Sequence, residues 1–193
     1  RDTDAGHGRQ AGLRGIRRGH NGYFADIQWD RTRAYGLGIN SLYLNLRGRE
    51  LHGCVSPGAT ATGLKQELTA KLLAVRDPVS GAPVISHVYD PSRIYSGPCT
   101  GLAPDLIIGY APGYRASWDT ILGKYPKDHV LDNTDAWSGD HATDSVHVPG
   151  VLLANRKITL DDPALIDLAP GILQTLGAPQ PEGMTGKPAF HEG

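Results

Sequence analysis

The sequence predicts an α/β fold, because segments with the patterns of strands and of helices are mixed along one chain. Two continuous apolar runs, 105–110 and 148–154, are typical of central strands that are covered on both faces. Two stretches with apolar residues at helical spacing, 62–75 and the segment that begins at Pro163, predict helices that pack beside such strands.

Two further strands are predicted in the first half of the chain. Residues 41–46 alternate apolar and polar side chains at period two, which indicates a half-buried strand. Residues 83–89 have the pattern of a second strand. The four predicted strands therefore lie on both sides of the first predicted helix in the sequence.

Each predicted helix has a signal at one or both ends. The helix over 62–75 is followed by an Asp-Pro pair, which stops it. The second helix starts at Pro163, where either Asp161 or Asp162 can cap it, and ends before Gly177. Both helices are expected to serve packing alone.

Composition supports a globular domain and argues against a protein that binds nucleic acid or a membrane surface. Of 193 residues, 39% are hydrophobic, which is enough to bury a core. The 19 basic and 20 acidic residues give a net charge of -1, so no overall field favours nucleic acid or an anionic membrane. No apolar run is long enough to span a bilayer.

Residues 1–22 differ from the rest of the chain. They are rich in Gly and Arg and poor in large apolar residues, so we expect a basic, poorly ordered arm followed by a globular domain over 23–193. Arg1 is not Met and no signal-peptide pattern follows it, so a processed start and a truncated start are both possible interpretations. The sequence does not indicate the cellular compartment. Cys54 and Cys99 are interpreted as ordinary thiols rather than as one disulfide.

The densest polar cluster, residues 132–141, leads into the predicted strand at 148–154. Imidazole and carboxylate groups are ligands that zinc accepts, and such loops often hold the chemistry of α/β proteins. A local triad of His141, Asp144 and His147 would need a helix, which the extended pattern there disfavours. Spacing alone favours an ordinary polar loop over a metal site.

Three well-known sequence motifs are either matched only by chance or absent, which argues against the chemistry that each one carries. The segment 6–11 fits G-x-G-x-x-A formally, but no strand precedes it, so it is interpreted as a chance match. The chain has neither a P-loop nor a G-x-S-x-G elbow.

Motifs spread over 23–190 resemble the type I phosphodiesterase/nucleotide pyrophosphatase family of the alkaline phosphatase superfamily. The segment Trp137-Ser138-Gly139-Asp140-His141, with 148–156 after it, is similar to the closing metal motif of that family. Further similar segments occur in the same order as in the family: 29–35, 43–50, 103–110, 112–114 and 166–173.

The resemblance implies a particular fold and division of the domain. It implies the C-terminal portion of an alkaline-phosphatase-like three-layer sandwich with a mostly parallel central sheet. Residues 37–119 would form a subregion beside the active site that helps to select the substrate. Residues 132–193 would supply the closing metal motif, a core strand and the C-terminal helix.

The resemblance also implies roles for individual residues. His141 corresponds to the last metal ligand, and Asp140 to a carboxylate that orients its imidazole; assigning Asp140 and His141 to the superfamily's other Asp-His pair is the weaker alternative. His7 lies near the place of a further ligand, with Gly6 where Asp is expected. Candidate substrate contacts are Tyr110, Tyr114 and Arg115.

The implied activity is metal-dependent hydrolysis of phosphate esters or phosphodiesters, with a small-molecule phosphate ester or nucleotide as substrate. In the family two zinc (Zn²⁺) or similar divalent ions activate a Thr or Ser nucleophile, and no motif for that nucleophile is recognisable here. We therefore expect the chain alone to be inactive. The alternative is a non-catalytic module that binds a ligand or partner chain, whose exposed sheet edge would favour oligomers.

Overall fold

The computed structural model describes residues 27–118, 127–134, 136 and 143–190. The chain divides into two compact units, Arg1–Val148 and Pro149–Gly193. The described part of the first unit contains a sheet and one α-helix, and that of the second contains one short α-helix. Neither of these helices is long and apolar enough to cross a bilayer.

The sheet of the first unit has four strands, and every neighbouring pair is antiparallel. Their order across the sheet is β1-β2-β4-β3. The strands are β1 (Ala34–Leu37), β2 (Ser41–Leu44), β3 (Ile85–Tyr89) and β4 (Leu106–Tyr110). The expected three-layer sandwich with a mostly parallel sheet is therefore wrong.

The short connection between β1 and β2 explains why these two strands are antiparallel. Only three residues join β1 to β2, and Gly38, at a φ of 74°, provides the left-handed conformation that this turn needs. A connection this short cannot return the chain for parallel pairing, which takes a dozen or more residues. The apolar run of residues 105–110 correctly predicted a central strand, since β4 lies between β2 and β3, but such a run carries no information about strand direction.

The core of the first unit lies between the sheet and the helix α1 (Ala59–Leu73). Leu44 of β2, Val55 and Leu64 of α1 are almost completely buried and contact one another. The helix begins three residues before its predicted start, directly after Gly58, and it packs against β3. Its apolar spacing thus correctly identified the side that faces the core.

The second unit contains α2 (Leu168–Thr175), which follows a 3-10 turn over Leu165–Asp167. The predicted start at Pro163 is wrong, because the 3-10 turn begins at Leu165 and the α-helix at Leu168. The carboxylate of Asp167, rather than that of Asp161 or Asp162, accepts the backbone N–H of Ala164 at 2.9 Å. The other oxygen of Asp167 accepts the N–H of Lys187 at 2.8 Å, which ties the helix start to the C-terminal segment.

The strand predicted at 148–154 does not form. These residues have no regular secondary structure, and Val151 and Leu153 are 85% and 90% exposed. Their apolarity predicted burial between neighbouring strands, but the described residues offer no strand that pairs with them.

Candidate functional site: a histidine and a buried carboxylate on the sheet

The predicted site residues fall into two groups. His7, Asp140 and His141 lie outside the described residues, so their predicted metal roles stay predictions. Tyr110 and Arg115, the first at the end of β4 and the second beyond it, are half-buried.

The two candidate tyrosines have different surroundings. The hydroxyl of Tyr114 donates a hydrogen bond to Asp77 Oδ2 at 3.0 Å, and that aspartate also accepts the N–H groups of Val79 and Ser80. Burial raises the pKa of the Tyr110 hydroxyl. Tyr114 thus fastens the turn after α1, and its predicted contact with a substrate stays a prediction.

The most unusual polar feature of the described residues is the carboxylate of Asp144, whose side chain is completely buried. Its Oδ2 accepts the hydroxyl of Ser86 at 2.7 Å and faces Nδ1 of His87 at 2.6 Å. Its Oδ1 accepts the hydroxyl of Tyr89 at 2.6 Å and the N–H of Val146 at 3.3 Å. Four donors therefore satisfy a charge that would otherwise be costly to bury. We call Ser86, His87, Tyr89 and Asp144 the Asp144 cluster.

A bulge in β3 explains how three nearly consecutive residues reach one carboxylate. Ile85 pairs with Tyr110 and His87 pairs with the next residue, Gly109, so Ser86 is an extra residue in the strand. Successive side chains of a regular strand point to opposite faces. The bulge breaks this alternation, so that Ser86 joins His87 and Tyr89 at Asp144.

Gly109 on β4 provides the space for this carboxylate. A Cβ atom on Gly109 would lie 2.5 Å from Asp144 Oδ2, closer than any normal contact. The backbone N–H of Asp144 also donates to the carbonyl oxygen of Tyr110 at 3.1 Å. Both the side chain and the backbone of Asp144 are therefore fastened to the sheet.

The cluster changes the ionisation of two of its members. Burial alone would raise the pKa of Asp144, but hydrogen bonds from Tyr89, Ser86 and His87 outweigh it and lower that pKa to about 2. Burial and the hydrogen bond to Asp144 raise the pKa of Tyr89 to about 12. At neutral pH the carboxylate is therefore charged and the phenol is neutral.

His87 is the one member of the cluster with a largely exposed side chain, at 51%. Because the carboxylate of Asp144 can only accept, Nδ1 of His87 is the donor in their contact. In neutral His87 the lone pair is then on Nε2. Its ring stacks on that of Tyr89, with centroids 5.6 Å apart and planes 28° apart. An imidazole fixed in this way can exchange a proton or bind a metal ion through Nε2.

Sequence reasoning missed this cluster. It considered Asp144 only within the disfavoured triad with His141 and His147, and in the structure the Asp144 carboxylate bonds to β3 instead. One feature of the sequence could have indicated the bulge: the adjacent polar residues Ser86 and His87 interrupt the alternation of apolar and polar side chains that a regular strand would have.

Two further features bear on the predicted chemistry. In the part of the chain that the structure describes, no three or more His, Cys, Asp or Glu side chains are grouped so as to hold a metal ion. Cys54 and Cys99 are free thiols, as the sequence predicted, the first half-buried and the second exposed.

Comparisons with known proteins add no relative to this picture. No family model matches the sequence. No curated protein and no solved structure matches it either.

Proposed function

We propose that this chain is part of a metal-dependent hydrolase of phosphate esters or phosphodiesters, similar to the nucleotide pyrophosphatase/phosphodiesterase family. The proposal depends on the motif that ends in Asp140-His141 and on the order of the similar segments around it. The observation in the structure that supports it most is the anchoring of Asp144 to β3 and β4. His141 precedes this anchored residue by three positions in the sequence.

The donor set that the proposal needs is partly available in this chain. His141 would hold one zinc ion or a similar divalent cation, and Asp140 would orient its imidazole. Bound metal ions would neutralise charge on the phosphoryl group and activate a hydroxyl nucleophile. Since stable zinc sites take three or four protein ligands, a single histidine predicts weak binding by the chain alone.

Calorimetric titration with zinc tests the proposal directly. We expect measurable binding to the wild-type chain and its loss in His141→Ala. His147→Ala is the matched control, because His147 is an exposed histidine of the same segment and should leave binding unchanged. Circular dichroism would show that all three proteins are folded. Equal zinc affinity for the wild type and His141→Ala would refute the assignment of His141.

A second candidate function is a non-catalytic module that binds a partner chain. It is favoured by the exposed apolar side chains of Val151 and Leu153 in the second unit, at 85% and 90% exposure. Exposed apolar surface marks interaction sites in many proteins. Sedimentation velocity separates the two candidates, since reversible assembly that Leu153→Asp abolishes supports the module.

A further inference from the structure

We infer that His87 is a proton-transfer residue and that Asp144 is the residue that positions it. A completely buried carboxylate lies 2.6 Å from Nδ1 of a histidine whose ring is half exposed. That the proton would pass to or from a phosphate ester rests on the function proposed above.

The orientation of His87 is fixed from several sides. Asp144 Oδ2 holds Nδ1, and the ring of Tyr89 stacks on the imidazole. Asp144 is itself held by Ser86, by Tyr89 and by the backbone of β4, so it cannot turn away from His87 without breaking these bonds. A general acid or base needs this constraint, because proton transfer requires a defined position and tautomer.

A proton-transfer role suits a single exposed nitrogen better than a role as metal ligand. One imidazole binds zinc only weakly without two or three further ligands, whereas one imidazole suffices to donate or accept a proton. Histidine is the side chain that exchanges protons most readily near neutral pH.

When a phosphoryl group is transferred from an ester, the oxygen of the attacking hydroxyl group forms a new P–O bond while the ester P–O bond breaks, and the departing oxygen takes the electron pair of that bond. The departing oxygen receives the Nε2 proton of the His87 imidazolium and leaves as an alcohol. The attacking hydroxyl group loses its proton to His87, which returns to the imidazolium form and is unchanged at the end.

Nitrogen NMR of the histidine rings tests the positioning in the 193-residue chain without any need for activity. We expect neutral His87 to favour the Nδ1–H tautomer over Nε2–H by roughly tenfold or more, because a hydrogen bond to a charged carboxylate biases the equilibrium by that amount. Asp144→Asn should remove this preference. Tyr89→Phe should keep it, because that variant removes a donor to Oδ1 and leaves the contact between Oδ2 and His87. A dominant Nε2–H tautomer in the wild type would overturn the inference.

Acylation by diethyl pyrocarbonate tests whether Nε2 of His87 can react, and it remains informative if Asp144→Asn fails to fold. We expect His87 of the wild-type chain to be acylated at Nε2 faster than His147, and inorganic phosphate to slow the reaction at His87 alone. Equal rates at the two histidines, or no effect of phosphate, would contradict the role. Zinc titration of His87→Gln separates the two proposals. Zinc binding that depends on His141 should persist in this variant, whether or not His87 transfers a proton.

Discussion

The apolar runs 105–110 and 148–154 look alike in the sequence and differ completely in the structure. The first forms β4, which pairs on both edges with β2 and β3 and buries Leu106 to 2% exposure. The second has no regular structure and leaves Leu153 90% exposed. Apolarity therefore indicates that a segment is suited to burial, and pairing partners decide whether the burial occurs.

Replacing one leucine by alanine in the sheet of the first unit and one in the segment 148–154 should give the largest difference in the free energy of unfolding. Leu44→Ala removes a completely buried side chain from the core between β2 and α1, and should lower the free energy of unfolding by about 2–5 kcal/mol. Leu153→Ala should change it by less than about 0.5 kcal/mol, because that side chain is already in solvent. Urea unfolding of both variants measures the difference, and a large loss in Leu153→Ala would show that the second region is buried in solution.

Acidification should affect the first region specifically, through Asp144. Its folded pKa of about 2 lies below the ordinary value of 3.8, so its contribution to stability is complete above pH 4 and is lost as the pH falls towards 2. The shift corresponds to about 2 kcal/mol. Urea unfolding between pH 5 and pH 2 should show this loss in the wild type, and the slope should be smaller in Asp144→Asn. Identical slopes in the two proteins would contradict the buried ion.

Replacing one glycine by alanine in each region should give a smaller difference in stability. Gly109→Ala forces a Cβ atom against Asp144 Oδ2, and should cost about 1–3 kcal/mol through overpacking. Gly150→Ala is the matched control, because nothing lies within 4 Å of the added Cβ and the backbone is not in the left-handed region. Thermal unfolding followed by circular dichroism compares them, and equal melting temperatures would mean that the Asp144 carboxylate can move aside.

The sequence predicted the elements of the first unit better than their arrangement. The segments of β2, β3, β4 and α1 were identified to within a few residues, because hydrophobic periodicity is a local property. Strand direction depends on the connections, and the resemblance to a parallel-sheet superfamily gave the wrong arrangement.

The Asp144 cluster could not be predicted for a different reason. Asp144 is separated from its three partners on β3 by 55 to 58 residues, so no local pattern joins them. The bulge at Ser86 also breaks the alternation of side chains from which one infers the face of the sheet on which each residue lies.

The bulge has a consequence for how this strand tolerates changes in length. Over the bulge, β3 carries one residue more than the stretch of β4 that it pairs with, and Ser86 is the surplus residue. Deleting it would leave the pairs from His87 to Tyr89 in their present register, so the strand could lose or regain this position without disturbing the remaining ladder. A single-residue insertion is thus enough to bring an additional hydroxyl group to the carboxylate in an existing sheet.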